Sequence, residues 1–516
     1  VQEGEKMDTK IRIAEVAPWD QGDPAIHGPS VFGASADKPF LYAIPATGER
    51  PLEFSVEGLP EGLQLDPANG QITGAALREG DSTVLFRAAN RHGKAEKEFT
   101  IAIGRGLALT PPMGWNSWNA WRRWVDDSKV RAAAQGLVKT GLAARGYAYV
   151  NIDSCWQGKR GGRHGAIQPN SKFPDMKSLA SYMHSIGIKL GIYSTPWTVP
   201  WGCTSKQAEE DWSGPGLIGS SSGDPDPDYR PQSIEDGRYV GIDKHEAKDV
   251  AQWVDWGVDF LKYDWNPTDR ISLERMGRFV KAAPRDIVLS ICGNLSIEDA
   301  DSITTWANMW RGILDTKDQW WSVLKNSVLL ENSYVEGWRP HVRPGLWSDL
   351  DMLALGPQFE SSTKCKPNHL TQDEQITEMT AWALFPSPLI LSCDLSNLSD
   401  FELRLFANEE VLAANQDSLG KPFVLLSEKR EQALRAIQPQ SYSRIWGRSL
   451  ADGSVVVGLF NLMETPNNLS IDIKDLGLSG EARARNLWER RDMGRVQGQL
   501  SVEVPAHGAQ LLLVRE

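Results

Sequence analysis

The spacing of apolar residues changes twice along the chain. Up to about residue 105, short runs of alternating apolar and polar positions (PLEFSVEGLPEGLQLDPANGQITG, STVLFRAAN, KEFTIAIG) are broken by Gly, Pro and Asn. A period of two with that punctuation predicts a small β-sandwich. From about residue 415 the same texture returns in SRIWGRSL, SVVVGLFNL, LSIDIKDL and AQLLLVRE, predicting a second all-β module. Between them, apolar runs (YAYVNID, IKLGIYS, VDFLKYD, DIVLSIC, PLILS) alternate with amphipathic segments such as SKVRAAAQGLVKTGLAARG and HEAKDVAQWVDWG. Strands separated by helices imply βαβ units and a parallel sheet buried on both faces. With MGWNSW before these runs and NMWRGI and GLWSDLDM among them, about eight units are present, which favours a closed (β/α)8 barrel. The fold class expected is therefore α/β: a TIM barrel over residues 106–412, flanked by β-sandwiches over 1–105 and 413–516. No glycine fingerprint follows the first strand, so a dinucleotide-binding sheet loses its main support.

The run FLKYDWNP at 260–267 places Lys262 and Asp264 on one side of a strand and Tyr263 and Trp265 on the other. Burying two opposite charges in a closed core costs several kcal/mol even when they are paired. Either the strand opens onto a polar cavity or the pair has a task. Polar groups recur where other apolar runs stop: Asp153 after YAYVNI, Tyr193 after KLGI, Arg311 and Asp315 after NMW, Asp349 and Asp351 after GLWS. In a parallel barrel these strand ends converge on one face. The blander role for any one of these aspartates is to cap the helix that follows. As a set they offer two carboxylates with Lys, Arg, Tyr and Trp, the inventory of glycoside hydrolysis, where one carboxylate acts as nucleophile or base and one as proton donor. Lys262 is expected to favour the ionised form of Asp264.

Composition narrows the partners. A formal charge of -12 argues against nucleic acid, which needs a basic footprint. No stretch reaches the roughly 18 to 20 apolar residues of a membrane helix. The 21 Trp residues suit flat ligands such as sugars, although a core role is the commoner reason for any one of them. The five cysteines are spread out with no CxxC pair, and the odd count leaves at least one thiol unpaired in a monomer. The N-terminus VQEGEKMDTK has neither an initiator Met nor a signal-like apolar region and reads as processed, compatible with a secreted or periplasmic protein. Monomer and homo-oligomer are equally compatible with the sequence.

Three strings imitate other chemistries. GSSSG at 219–223 fits a hydrolase pattern around Ser221 but follows no apolar strand, and it sits in a Gly, Ser, Pro and Asp-rich loop over 202–240. HEAKD at 245–249 begins like a zinc motif, yet Asp249 stands where the second His is required. DPDPD at 224–228 lacks calcium-loop spacing and reads as a solvated loop.

LALTPPMGWNSWNAW, YVNIDSCWQ, KLGIYS, FLKYDW, WRGILDTKDQW and LWSDLDMLALG, in that order, resemble glycoside hydrolase family 27, the α-galactosidase (melibiase) and α-N-acetylgalactosaminidase family, over about residues 106–516. The N-terminal segment is similar to immunoglobulin-like modules of the FxxxGLPxGLxLDxxxGxIxG type. The resemblance implies a retaining mechanism with no metal or organic cofactor and a carbohydrate as the partner. It makes Asp264 the nucleophile and Asp315 the acid/base. Trp118 would line the sugar subsite, and Asp153 and Lys262 would hold hydroxyls on the far side of the ring. Tyr193 would sit against the nucleophile, and Arg311 and Asp351 would address the 2-hydroxyl side.

The chain departs from the family at three places. Ser154 stands where the family has a second carboxylate for the 4- and 6-hydroxyls. SICGN replaces CysGluTrp at the 2-hydroxyl partner: Gly293 or Asn294 is the expected substitute for that partner, and Cys292 beside them is counted among the substrate-binding candidates. Asn266 replaces a frequent disulfide cysteine, leaving Cys203 without that partner. A retaining exo-acting α-galactosidase is the first expectation. Alternatives on the same mechanism are an isomaltodextranase-like α-glucan hydrolase, a β-L-arabinopyranosidase and an α-N-acetylgalactosaminidase, since a lost buried acceptor shifts sugar preference. From another class, a non-catalytic carbohydrate-binding protein would have no reason to keep both Asp264 and Asp315.

Overall fold

The computed structural model describes residues 11–197, 200–202, 244–327, 329, 337–430 and 442–516. Ser221, the DPDPD string at 224–228, Cys203 and the rest of the loop from 203 to 240 lie outside the described residues.

Eight strands form the central parallel sheet: β1 (Met113–Asn116), β2 (Tyr149–Ile152), β3 (Lys189–Ser194), β4 (Phe260–Asp264), β5 (Val288–Cys292), β6 (Met309–Arg311), β7 (Trp347–Ser348) and β8 (Leu389–Leu391). Each pairs with the next in chain order up to β7, and β8 pairs back onto β1. Leu353, just past β7, bridges in parallel to Leu391 and closes the ring. All eight runs anticipated from the sequence are strands. Every residue of β2 and β5 is buried, as expected where helices cover the outer face. Gly191 on β3 leaves room for a neighbour, because a Cβ there would lie 1.9 Å from Oδ1 of Asn151.

Helices Asp127–Lys139, Met176–Ser185 and Arg270–Ala282 begin on Asp126, Asp175 and Asp269, whose carboxylates accept from a backbone N–H three residues on. The capping role thus falls to these aspartates and leaves those at the strand ends for something else.

The N-terminal module is a sandwich. A four-stranded sheet (Val31–Ala34, Glu53–Glu57, Gly80–Ala89, Lys94–Ile103) faces a three-stranded one (Phe40–Ala43, Leu63–Leu65, Gln71–Gly74) over Phe54, Ile72, Phe86 and Phe99. It docks on the end of the barrel where strands begin. Ser35 N donates to Asp286 Oδ2 at 2.7 Å, Lys38 pairs with Asp286 at 3.3 Å, and the Lys189 ammonium lies 4.2 Å from the Phe32 ring centroid. Asp286 precedes β5 and Lys189 opens β3, so the opposite end, where strands finish, stays open.

The C-terminal sandwich has a six-stranded sheet and a two-stranded ladder, Asn467–Asp472 with Gln499–Val504. It is joined to the barrel by the helix Gln372–Leu384, which is buried at every position from Glu374 to Leu384. Such a helix sits between two packed layers rather than on a surface. Thr377 Oγ1 donates to His507 O at 2.7 Å, Trp488 Nε1 to Thr380 Oγ1 at 2.9 Å, and Arg448 Nε to Leu384 O at 2.9 Å, tying the helix to the sandwich.

Asp286→Ala removes both the acceptor for Ser35 and the partner of Lys38. We expect it to lower stability by about 1 to 3 kcal/mol, read as a fall in Tm. The arrangement of the opposite, open end should persist below the transition, because Asp286 is at the far end of the barrel.

Candidate functional site

In-register neighbours on parallel strands present their side chains to the same face, about 4.8 Å apart. At the open end of the barrel Asp264 of β4 is opposite Cys292 of β5, which is opposite Arg311 of β6. One row therefore delivers a carboxylate, a thiol and a guanidinium to the mouth. Tyr193 of β3 is opposite Lys262, one step lower. Tyr263 and Trp265, which alternate with this pair, are fully buried in the core between barrel and helices. The question posed by FLKYDWNP has its answer in this alternation: Lys262 and Asp264 line a cavity of about 910 Å³, together with Trp118, Asp153, Ser154, Cys292, Arg311 and Asp315.

The buried floor is an ionic network. Lys262 Nζ donates to Asp153 Oδ2 at 2.8 Å, and the same oxygen accepts from Asn116 Nδ2 at 2.9 Å. Ser154 N donates to Asp153 Oδ1 at 2.8 Å. Burial alone would lower the Lys262 ammonium, but the neighbouring carboxylates, Asp153 above all and then Asp264, hold it above its ordinary value. The Ser154 hydroxyl accepts from Gly202 N at 3.1 Å.

Arg311, the second cation of this face, is buried. Its Nη2 and Nε donate to Cys292 Sγ at 2.7 and 3.0 Å, Nη1 donates to Asp315 Oδ1 at 2.9 Å, and Nη1 lies 3.2 Å from Asp351 Oδ2. Burial pushes the Cys292 thiol well above its usual range, so a neutral sulfur accepts these bonds. The side chain facing Arg311 is thus Cys292; Gly293 and Asn294, expected there from the sequence, form the adjoining cavity wall. Gly293 cannot supply a side chain: its φ is +152° and a Cβ would lie 2.0 Å from Trp265 O.

Tyr193 and Asp351 do not line the cavity; they stand behind it. Tyr193 is fully buried, its ring centroid 5.8 Å from Lys262 Nζ. Asp351 accepts from Thr316 N at 2.7 Å and has a φ of +79°, a backbone strain of the kind that clusters at functional sites. Desolvation, foremost, raises its carboxyl against the opposing pull of Arg311.

The two candidate catalytic carboxylates have opposite surroundings. Asp264 is 8 % exposed, and desolvation pushes it up to about 6 despite Lys262 and Arg311, with Asp153 and Asp315 adding to the rise. Lys262 therefore acts in the expected direction, but burial outweighs it and its direct partner is Asp153. The Asp315 side chain is 60 % exposed. Whatever desolvation it feels is outweighed by Arg311, Lys262 and Lys317, which hold it below the ordinary carboxylate value. Asp349, raised by burial and by Asp351 to about 7, accepts from Asp351 N at 2.9 Å.

Sequence reasoning passed over Trp201, Leu314 and Trp321, which also line the cavity. Leu314 lies within WRGILDTKDQW and Trp321 directly follows it, and their exposure is the signal that alternation could not reveal. Asp249 of the zinc-like string is held by Arg160 at 2.7 and 2.9 Å. Among the described residues no group of three or more His, Cys, Asp or Glu is placed to hold a metal, and no helix is long and apolar enough to cross a membrane. Cys155 is disulfide-bonded, whereas Cys292, Cys365 and Cys393 are free.

Comparisons with known proteins agree with this geometry. A family model described as "Alpha galactosidase A" matches residues 110–203 and 236–417, and one described as "Alpha galactosidase C-terminal beta sandwich domain" matches 440–514. A third, described as "Putative Ig domain", matches 23–104. An α-galactosidase of Cyamopsis tetragonoloba is 31 % identical over 421 residues, covering 79 % of this chain and 87 % of the relative. Among solved structures, a "putative alpha-galactosidase/melibiase" of Bacteroides fragilis superposes with a TM-score of 0.77 at 29 % identity, over 97 % of this chain and 99 % of that one. A GH27 β-L-arabinopyranosidase of Geobacillus stearothermophilus gives 0.65 at 26 % identity, over 79 % of this chain and 97 % of that one. With a closed barrel, a carboxylate-lined mouth and these matches, the chain belongs to the α-galactosidase (melibiase) family and is a glycoside hydrolase.

Proposed function

We propose that the enzyme removes terminal α-linked galactose from oligo- or polysaccharides by double displacement, with Asp264 as nucleophile and Asp315 as acid/base. The observation that carries this reading is the opening of both carboxylates into one cavity, Asp264 on the buried floor and Asp315 on the solvent side. The names of the relatives supply the sugar. In the first half-reaction a carboxylate oxygen of Asp264 bonds to the anomeric carbon. The glycosidic C–O bond breaks, and the departing oxygen takes the proton of Asp315. In the second, Asp315 takes a proton from water, the water oxygen bonds to the anomeric carbon, and Asp264 is released. Lys262 and Asp153 position hydroxyls, Trp118 offers a ring face, and Arg311, held by Asp351 and Cys292, addresses the 2-hydroxyl side. Tyr193 supports Lys262 from behind.

The division into residues 1–105, 106–412 and 413–516, with the barrel as the catalytic unit, goes with this reading. The disulfide at Cys155 supports a secreted or periplasmic setting, because such bonds persist in oxidising compartments.

Ser154 favours one second reading, a β-L-arabinopyranosidase. β-L-arabinopyranose has the ring stereochemistry of α-galactose without C6, so a site with a neutral hydroxyl in place of a carboxylate for the 6-hydroxyl suits it. Rates on p-nitrophenyl α-galactoside and p-nitrophenyl β-L-arabinopyranoside decide between them: the galactoside is expected to be the better substrate by kcat/KM, and the reverse order would establish the second reading.

Asp264→Ala is expected to abolish turnover on either substrate. Asp315→Ala should cost roughly 10² to 10⁴-fold on a sugar leaving group and much less on p-nitrophenolate, which departs without a proton. Equal losses on both would remove Asp315 from the acid role.

The pH profile follows from the two carboxylates taken together. Between the depressed value of Asp315 and about 6, the pair holds one proton; above about 6 both groups are ionised and no acid remains. Hence kcat/KM, which reports the free enzyme, should fall as pH rises through about 6. A profile flat up to pH ~8, about two units beyond the pair's titration, would contradict this assignment.

A further inference from the structure

The cavity is graded from floor to rim. Asp153, Asp264, Cys292 and Arg311 are all buried at its floor, whereas Leu314 and Trp321 on its wall are 66 % and 57 % exposed. Most tryptophans of this chain are buried in cores, so an indole left open inside the catalytic cavity calls for an occupant. Leu314 directly precedes Asp315, and Trp321 lies in the first turn of the next helix, Trp320–Asn326.

We propose that Leu314 and Trp321 are the specificity-determining residues on the leaving-group side, their exposed faces packing against the second sugar ring of the substrate. This inference rests on the glycosidase reading of Asp315 above. The acid must hand its proton to the glycosidic oxygen, which places whatever lies beyond that oxygen on the Asp315 side of the cavity. The surface met there is Leu314 and Trp321. The C–H face of a pyranose is apolar and matches an indole face, while its hydroxyls need partners around the edge. Those partners are at hand. Lys317, Gln319 and Ser322 line the same wall. Gln319 precedes the helix without spending its side chain on a cap. Ser322 Oγ accepts from Lys317 N at 3.0 Å and keeps its own proton to donate. The volume, about 910 Å³, is near the top of the roughly 300 to 1,000 Å³ usual for small-molecule sites and exceeds the needs of one ring.

The test compares two galactosides that differ only beyond the scissile oxygen: methyl α-galactoside, which brings no ring, and melibiose, which brings glucose. Trp321→Ala is expected to lower kcat/KM on melibiose about tenfold more than on the methyl glycoside, with Trp321→Phe recovering most of that difference and Leu314→Ala losing less. Because Trp321 is exposed, both variants should keep the parent Tm, measured in parallel. Equal losses on the two substrates, or no loss on melibiose, would overturn this specificity role while leaving the glycosidase reading intact. Failure of the unaltered enzyme to cleave either galactoside would overturn the underlying reading, and the specificity role with it.

Discussion

Two cations drawn out of water at the end of a barrel, Arg311 buried and Lys262 partly so, can persist only if each is surrounded by acceptors, and that requirement organises the open face of this enzyme. Lys262 is satisfied by Asp153, itself held by Asn116 and the Ser154 amide. Arg311 is satisfied by Cys292, Asp315 and Asp351. Removing one member of such a set strands the others in a poorly solvated place, at a cost of about 3 to 5 kcal/mol for a broken buried pair. The network therefore fixes side chains from strands β1, β4, β5 and β6 and from the residues just past β2 relative to one another. It also divides the charge. Asp264 sits deep, where burial raises it, and Asp315 sits at the solvent side next to Arg311, where it is lowered. Two carboxylates of one residue type acquire different proton affinities from position alone.

The flanking modules leave that face clear. The N-terminal sandwich covers the end where strands begin, through Asp286 and Lys189, while the C-terminal sandwich reaches the barrel through the buried helix Gln372–Leu384. One of the positive-φ non-glycine residues, Asp351, stands directly behind Arg311.

The fold was largely legible in the sequence because strand and helix periods differ and the chain switches between them cleanly. The alternation in FLKYDWNP correctly assigned Lys262 and Asp264 to the open side and Tyr263 and Trp265 to the core. What it could not supply was pairing across strands. Nothing local says that Lys262 bonds Asp153, residues far apart in sequence, rather than the neighbouring Asp264, or that burial outweighs its charge. Cys292 was overshadowed by Gly293 and Asn294 for a similar reason: only the register β4–β5–β6 shows which residue faces Arg311. Trp321 was invisible because a sequence lists tryptophans without saying which one a cavity leaves exposed.

The central claim is a double displacement at one anomeric carbon, and the stereochemistry of the first-formed sugar tests it most directly. Hydrolysis of an α-galactoside followed by proton NMR before mutarotation should show the α-anomer appearing first. Initial release of the β-anomer would mean a single displacement by water, and the roles given to Asp264 and Asp315 would be wrong.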